Sequence, residues 1–126
     1  FPPNKKVKKF FENLGNVIEI KNEKKSNYLW TTSSLMAPFY HLLLTTSKIL
    51  QRGGVNKLVS ENYTKSLFYG LAYSALNENN EDLKNLIKKS QTPKGLNQQA
   101  LNELKNKGFY KLIDKVSIKI LKRLTE

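Results

Sequence analysis

The chain contains no cysteine, which excludes disulfides, Fe–S clusters and thiol catalysis. Its single histidine, His41, has no cysteine to accompany it, too few ligands for a zinc site. Arginine, the side chain suited to forking onto phosphates and bases, occurs only at Arg52 and Arg123. No G-x-G-x-x-G is present, so these residues cannot by themselves cradle a dinucleotide in the usual way. No carboxylate pair stands in a general acid/base arrangement; Glu81 and Asp82 read as the acidic start of a helix. No apolar run is long enough to span a bilayer, and nothing signals export, which points to the cytoplasm. An opening methionine is missing as well. Phe1-Pro2-Pro3 therefore reads as the start of a fragment or a processed product.

What is abundant is lysine. With 22 basic and 10 acidic residues the chain carries a net charge of +12, and its pI is near 9.9. That is the balance of a nucleic-acid binder. The lysines are scattered through every segment instead of forming one face, however, and no nucleic-acid-binding signature accompanies them. The apolar fraction of 39% is ordinary for a soluble protein, and 126 residues allow one domain with a modest core.

From Lys5 an amphipathic helix carries Val7, Phe10, Phe11 and Leu14 on one side, with Gly15 suited to end it. Val17-Ile18-Glu19-Ile20 reads as a short strand. A helix, a glycine and an apolar strand make one piece of an α/β domain, so residues 1–24 are expected to be the tail of a nucleotide-binding domain. The alternative is a plain N-terminal arm. From Lys25 the pattern is helical to the end, which makes residues 25–126 a helical domain. Residues 28–51 are densely apolar around most of the circumference, with Pro38 marking a kink or a join. A chain this small cannot cover such a helix alone, so a homodimer or larger homo-oligomer is expected. Phe39, Tyr40, Phe68, Tyr69 and Tyr73 read as mostly core, and His41 as a core or interface histidine.

Gly53-Gly54 ends that stretch, and Ser60 suits the N-cap of a second helix that carries a Gly70/Ser74 notch. A short helix over residues 80–89, another from Asn97 to about Lys107, and a last one after Gly108 complete the chain. Phe109, Leu112, Ile113, Val116, Ile120, Leu121 and Leu124 fall at core spacing on the last helix. Between the third and fourth helices, residues 90–99 read Ser-Gln-Thr-Pro-Lys-Gly-Leu-Asn-Gln-Gln. Thr92-Pro93 is pushed to an extended lead-in, Gly95 permits a close approach, and Asn97 stands where a helix needs its N-cap. Free amides at a helix start, beside hydroxyl and amide side chains, make a ready seat for a carboxylate or phosphate. A plain helix-capping loop is the other reading.

This loop resembles the S/T-P-G-G-x-T loop of the pyrroline-5-carboxylate reductase family. Leu35-Met36-Ala37-Pro38-Phe39-Tyr40 is similar to that family's G-S-G-P-A-Y stretch in its Pro and Tyr, without the two flanking glycines. Gly54-Val55, the helix at 60–77, the short helix at 80–89 and Gly108-Phe109 follow in the family's order. The resemblance implies an all-α dimerisation domain of the 6-phosphogluconate-dehydrogenase C-terminal-like type, preceded by a short α/β remnant. It also implies NADPH- or NADH-dependent reduction of a cyclic imino acid to proline or a relative, with the cofactor held mainly outside these residues. This stretch alone would then be inactive. By the same resemblance Thr92, Gly95, Leu96 and Asn97 would bind the substrate: the Thr92 hydroxyl and the Leu96 and Asn97 amides at its carboxylate, the Asn97 side chain at its imine.

Two positions depart from the family. Lys94 stands in place of the first loop glycine, and Asn97 in place of the final Thr, so the hydroxyl near the imine nitrogen is lost. Asn97 leaves open another imine or hydroxyacid reductase of the same two-domain class. The net charge leaves open a basic helical nucleic-acid-binding module.

Overall fold

The computed structural model describes residues 3–78 and 81–126. Among the described residues the regular structure is helical throughout: a single 3-10 turn at Glu23–Lys25 and seven α-helices. They are α1 (Lys5–Glu12), α2 (Ser26–Ser33), α3 (Met36–Arg52), α4 (Lys57–Asn77), α5 (Leu83–Lys89), α6 (Leu96–Asn106) and α7 (Phe109–Thr125). The chain divides into two compact units. The first comprises residues 1–35 and 113–126, and the second comprises residues 36–112.

In the first unit, α1 is capped by Asn4, whose side chain accepts from the Lys6 and Val7 amides. The strand expected at residues 17–20 does not form. A lone strand has no ladder to satisfy its amides and carbonyls, so the stretch stays irregular and lines an open groove against Val7, Lys8 and Phe11 of α1. The stretch expected as one long apolar helix is two, α2 and α3, joined at Ser34 and Leu35. Pro38 falls in the first turn of α3, where its missing N–H has no helical partner to lose.

In the second unit, α3 and α4 pack as a hairpin. Gly54 at φ +86 supplies the left-handed residue that closes α3, and the Val55 amide donates back to the Leu50 carbonyl at 3.1 Å. The start of α4 differs from the expectation. Asn56, not Ser60, caps it, its Oδ1 accepting from the Leu58 amide at 2.8 Å. Ser60 lies inside α4 and is fully buried, its hydroxyl donating to the Asn56 carbonyl at 2.9 Å. The antiparallel register is fixed by a T-shaped pair of Phe39 and Phe68, centroids 6.1 Å apart, and by Ser47 beside Thr64.

That seam is polar and narrow. The buried residues are Thr31, Ser47, Ser60 and Thr64; no apolar residue among those described is buried. Phe39, Tyr40, Tyr69 and Tyr73, expected as core, are exposed, Phe68 is half-buried, and His41 is exposed too. On α7, Phe109, Leu112, Val116 and Leu124 are exposed and Ile113, Ile120 and Leu121 half-buried.

Thr64 holds a small defect. Thr31, Thr32, Thr45, Thr46 and Thr125 each donate a hydroxyl to the carbonyl four residues back. The Thr64 hydroxyl is buried with no partner. Thr64→Val removes that orphan at nearly constant shape and is expected to raise stability by about 1 kcal/mol. A urea midpoint at or below the parent's would show that the hydroxyl is satisfied after all.

Candidate functional site: the loop between α5 and α6

Both ends of this loop are set by local chemistry. Asp82 caps α5 by accepting from the Asn85 amide at 2.8 Å; the start expected at Asn80 lies outside the described residues. Lys88 and Lys89 close the helix at the negative end of its dipole. Lys89 also pairs with Glu81 across α5. This bond carries its amine above the ordinary lysine range; desolvation opposes, and the charges of Glu81 and Glu78 add. Ser90 then ends α5, its hydroxyl donating to the Ile87 carbonyl at 3.0 Å.

Thr92-Pro93-Lys94-Gly95 forms a β-turn closed by the Gly95 amide donating to the Thr92 carbonyl at 2.8 Å. Proline second and a positive φ third are the marks of a type II turn, whose third residue is favoured as glycine. Lys94 occupies that place at φ +62. A side chain in the left-handed region costs about 1–2 kcal/mol. Lys94→Gly is therefore expected to stabilise the chain, by about 1 kcal/mol once the freer unfolded glycine is allowed for. A thermal unfolding midpoint that falls instead would show that the Lys94 side chain contributes more than its strain costs.

Gly95, not Asn97, is the N-cap of α6, with φ −78 and ψ 164. That conformation suits any residue; what Gly95 supplies is the absence of a Cβ. A Cβ there would stand 2.2 Å from Thr92 Oγ1 and 3.0 Å from the Thr92 carbonyl oxygen. The Thr92 side chain thus folds directly over the start of α6. No side chain caps α6, and among the described residues the Leu96 and Asn97 amides have no acceptor in the chain. Thr92, Leu96 and Asn97 are all exposed.

The structure also gives Asn97 a task that the sequence reading did not include. It lies in the first turn of α6, and its Nδ2 donates to the Ser90 carbonyl at 2.9 Å, tying the helix back to the end of α5. Gln98 adds a second tie, its Oε1 accepting from the Lys94 amide at 2.9 Å. Gln98 stands three residues after the cap, where a capping-box side chain takes the cap amide, but here it takes the amide one residue earlier because the Gly95 amide closes the turn. The result is a short loop held at both ends, with a hydroxyl and open amides at the positive end of a helix. That arrangement can hold a carboxylate or phosphate.

A family profile described as pyrroline-5-carboxylate reductase dimerisation matches residues 26–126. The chain belongs to that family. Its fold also matches the structure of a pyrroline-5-carboxylate reductase from Coxiella burnetii, with a TM-score of 0.78 and 21% identity over 96% of this chain. The match spans 46% of the Coxiella chain, and at this identity the likeness speaks for the fold alone. A comparison with curated proteins returns no match. The helical order seen here is thus the family's dimerisation fold, and the Thr92 loop belongs to it.

The rest of the inventory is sparse. Among the described residues no cluster of His, Asp and Glu could hold a metal, and no helix is long and apolar enough to cross a membrane. Nor do they contain a strand, glycine-rich turn and helix in succession, so they do not fit a dinucleotide.

Proposed function

We propose that this chain is the dimerisation and substrate-loop part of an NAD(P)H-dependent reductase of cyclic imino acids, similar to pyrroline-5-carboxylate reductase and yielding proline or a relative. The observation that carries this reading is Thr92 folded over a Gly95 cap at an uncapped helix start, within a dimerisation domain of that family. In this scheme the Thr92 hydroxyl and the Leu96 and Asn97 amides take the substrate carboxylate, Gly95 makes the room, and the Asn97 side chain faces the imine. Residues 1–24 are the tail of a nucleotide-binding domain. The cofactor is held outside the residues described, and what this chain contributes is orientation and charge at the substrate. Two copies pair through the apolar helix faces that one copy leaves exposed.

The test is steady-state kinetics in the full-length reductase. Thr92→Ala should weaken handling of a carboxylate-bearing cyclic imine by about 1–3 kcal/mol, as expected for a lost hydrogen bond to a charged group. Kinetics equal to the parent's would make the loop a structural cap only. One observation favours a second reading. Asn97 lacks the family's hydroxyl and spends an amide proton on Ser90. The substrate would then be another imine or hydroxyacid, and a substrate panel with Asn97→Thr separates the two. A parent that already prefers pyrroline-5-carboxylate supports the first reading, and a parent that prefers another acid, with Asn97→Thr shifting it toward pyrroline-5-carboxylate, supports the second.

A further inference from the structure

We propose that Gln98 is a positioning residue for the substrate loop: it fixes the orientation of the Pro93–Lys94 peptide in a turn that Lys94 would otherwise abandon. The inference rests on the substrate-loop reading above and adds what keeps that loop in its working shape.

The turn carries the wrong residue at its critical place. A type II turn needs a positive φ at its third residue, and an L side chain resists that conformation. Lys94 stands there at φ +62, the one residue other than glycine with a positive φ among those described. A strained residue persists only where its surroundings over-determine it. The Lys94 side chain is not the restraint. It is exposed and takes part in none of the ion pairs among the described residues.

The restraint acts on the backbone. Type I and type II turns differ mainly by a flip of their central peptide, and proline suits the second place of either. Here the central peptide joins Pro93 to Lys94, and its N–H is the group that Gln98 holds. The Lys94 amide donates to Gln98 Oε1 at 2.9 Å, while the Gly95 amide closes the turn on the Thr92 carbonyl at 2.8 Å. Lysine alone favours type I, so the Gln98 acceptor is what selects type II. Gln98 is well founded for this: it is the third residue of an 11-residue helix and is half-buried.

Orientation of that peptide bears on an anion. A flip would replace the Lys94 N–H by the Pro93 carbonyl on the side of the loop where Gln98 and the start of α6 lie. A carbonyl there opposes a carboxylate, where an N–H favours it. Gln98 also stabilises the helix start without spending the Leu96 and Asn97 amides, which a side-chain cap would take.

The experiment uses the full-length reductase with Gln98→Met, which keeps the side-chain length and removes the acceptor. One readout is the nuclear Overhauser effect between Pro93 Hα and the Lys94 amide proton, which lie close in a type II turn and apart in type I. It should be strong in the parent and weak in Gln98→Met. KM for a carboxylate-bearing cyclic imine should rise roughly fivefold with kcat little changed. Lys94→Gly alone should leave KM near the parent's. Added to Gln98→Met it should restore KM, because glycine holds the third place without help. An effect that stays strong in Gln98→Met overturns the proposal, as does a KM that Lys94→Gly does not restore. A weakened effect with KM unchanged, where Thr92→Ala still impairs the enzyme, overturns the positioning role and leaves the substrate loop standing. Parent kinetics in Thr92→Ala remove the loop reading and this inference together. Should Gln98→Met fail to fold, the double variant must fold, and a double variant that also fails overturns the proposal.

Discussion

Gly95→Ala is expected to lower kcat/KM for a carboxylate-bearing cyclic imine by about 100-fold, the order of loss that follows when a substrate-positioning group moves by an ångström. The backbone of Gly95 is already in a conformation alanine adopts freely, so strain at Gly95 itself contributes nothing. The whole effect falls on Thr92. Its hydroxyl would lie 2.2 Å from the new Cβ and its carbonyl oxygen 3.0 Å away, and that carbonyl is the acceptor that closes the turn. Rotating the hydroxyl aside relieves the first clash but withdraws the group assigned to the carboxylate. Moving the carbonyl relieves the second and opens the turn. Since both routes act through Thr92, Thr92→Ala and Gly95→Ala together should cost much less than their separate effects combined. Kinetics of the single and double variants in the full-length reductase check this. Full additivity, or a Gly95→Ala enzyme as fast as the parent, would remove Thr92 from the substrate site.

The second large effect is on folding. Helix content should be lost on dilution, and the thermal midpoint should climb with protein concentration. A single copy buries no apolar residue among those described, while ordering each residue costs about 1–2 kcal/mol of backbone entropy alone. The Ser47, Ser60 and Thr64 seam and one Phe39–Phe68 pair are too little to offset that. Obligate dimers of this kind have no stable folded monomer, and their unfolding free energy rises by about 1.4 kcal/mol for each tenfold in concentration. Circular dichroism melts over two decades of concentration measure it. A midpoint that does not move, with helix content intact, would mean that one copy is stable by itself.

Much of the fold was legible because helix ends carry their own chemistry. Gly53-Gly54, Asp82 and Gly108 stand where helices stop or start. The misplaced start of α4 shows the limit of that reasoning. Ser60 is a good cap by residue type, yet Asn56 stands four residues earlier, just after the turn, and captures the Leu58 amide first. Ser60 is instead fully buried one turn into the helix, its hydroxyl donating to the Asn56 carbonyl. The loop was misread in a similar way. Lys94 conceals a type II turn by standing where glycine is favoured, and the shift of the cap from Asn97 to Gly95 follows from that turn. The aromatic and apolar positions of α3, α4 and α7 have the periodicity of a core. Periodicity reports that a face is to be covered but not by which chain, so Tyr69 and Tyr73 read as interior while standing in the open.

The α3–α4 hairpin has a kinetic consequence. Its contacts join neighbours in sequence across a four-residue connection, so their loop-closure cost is small and they can form in microseconds. If two copies pair as proposed, the cover for the exposed helix faces arrives later, in an encounter whose rate depends on concentration. During the interval each copy carries bare tyrosines and leucines, the kind of surface that draws misfolded chains together. On the homodimer reading proposed above, the net charge of +12 would oppose indiscriminate contact between copies before they pair.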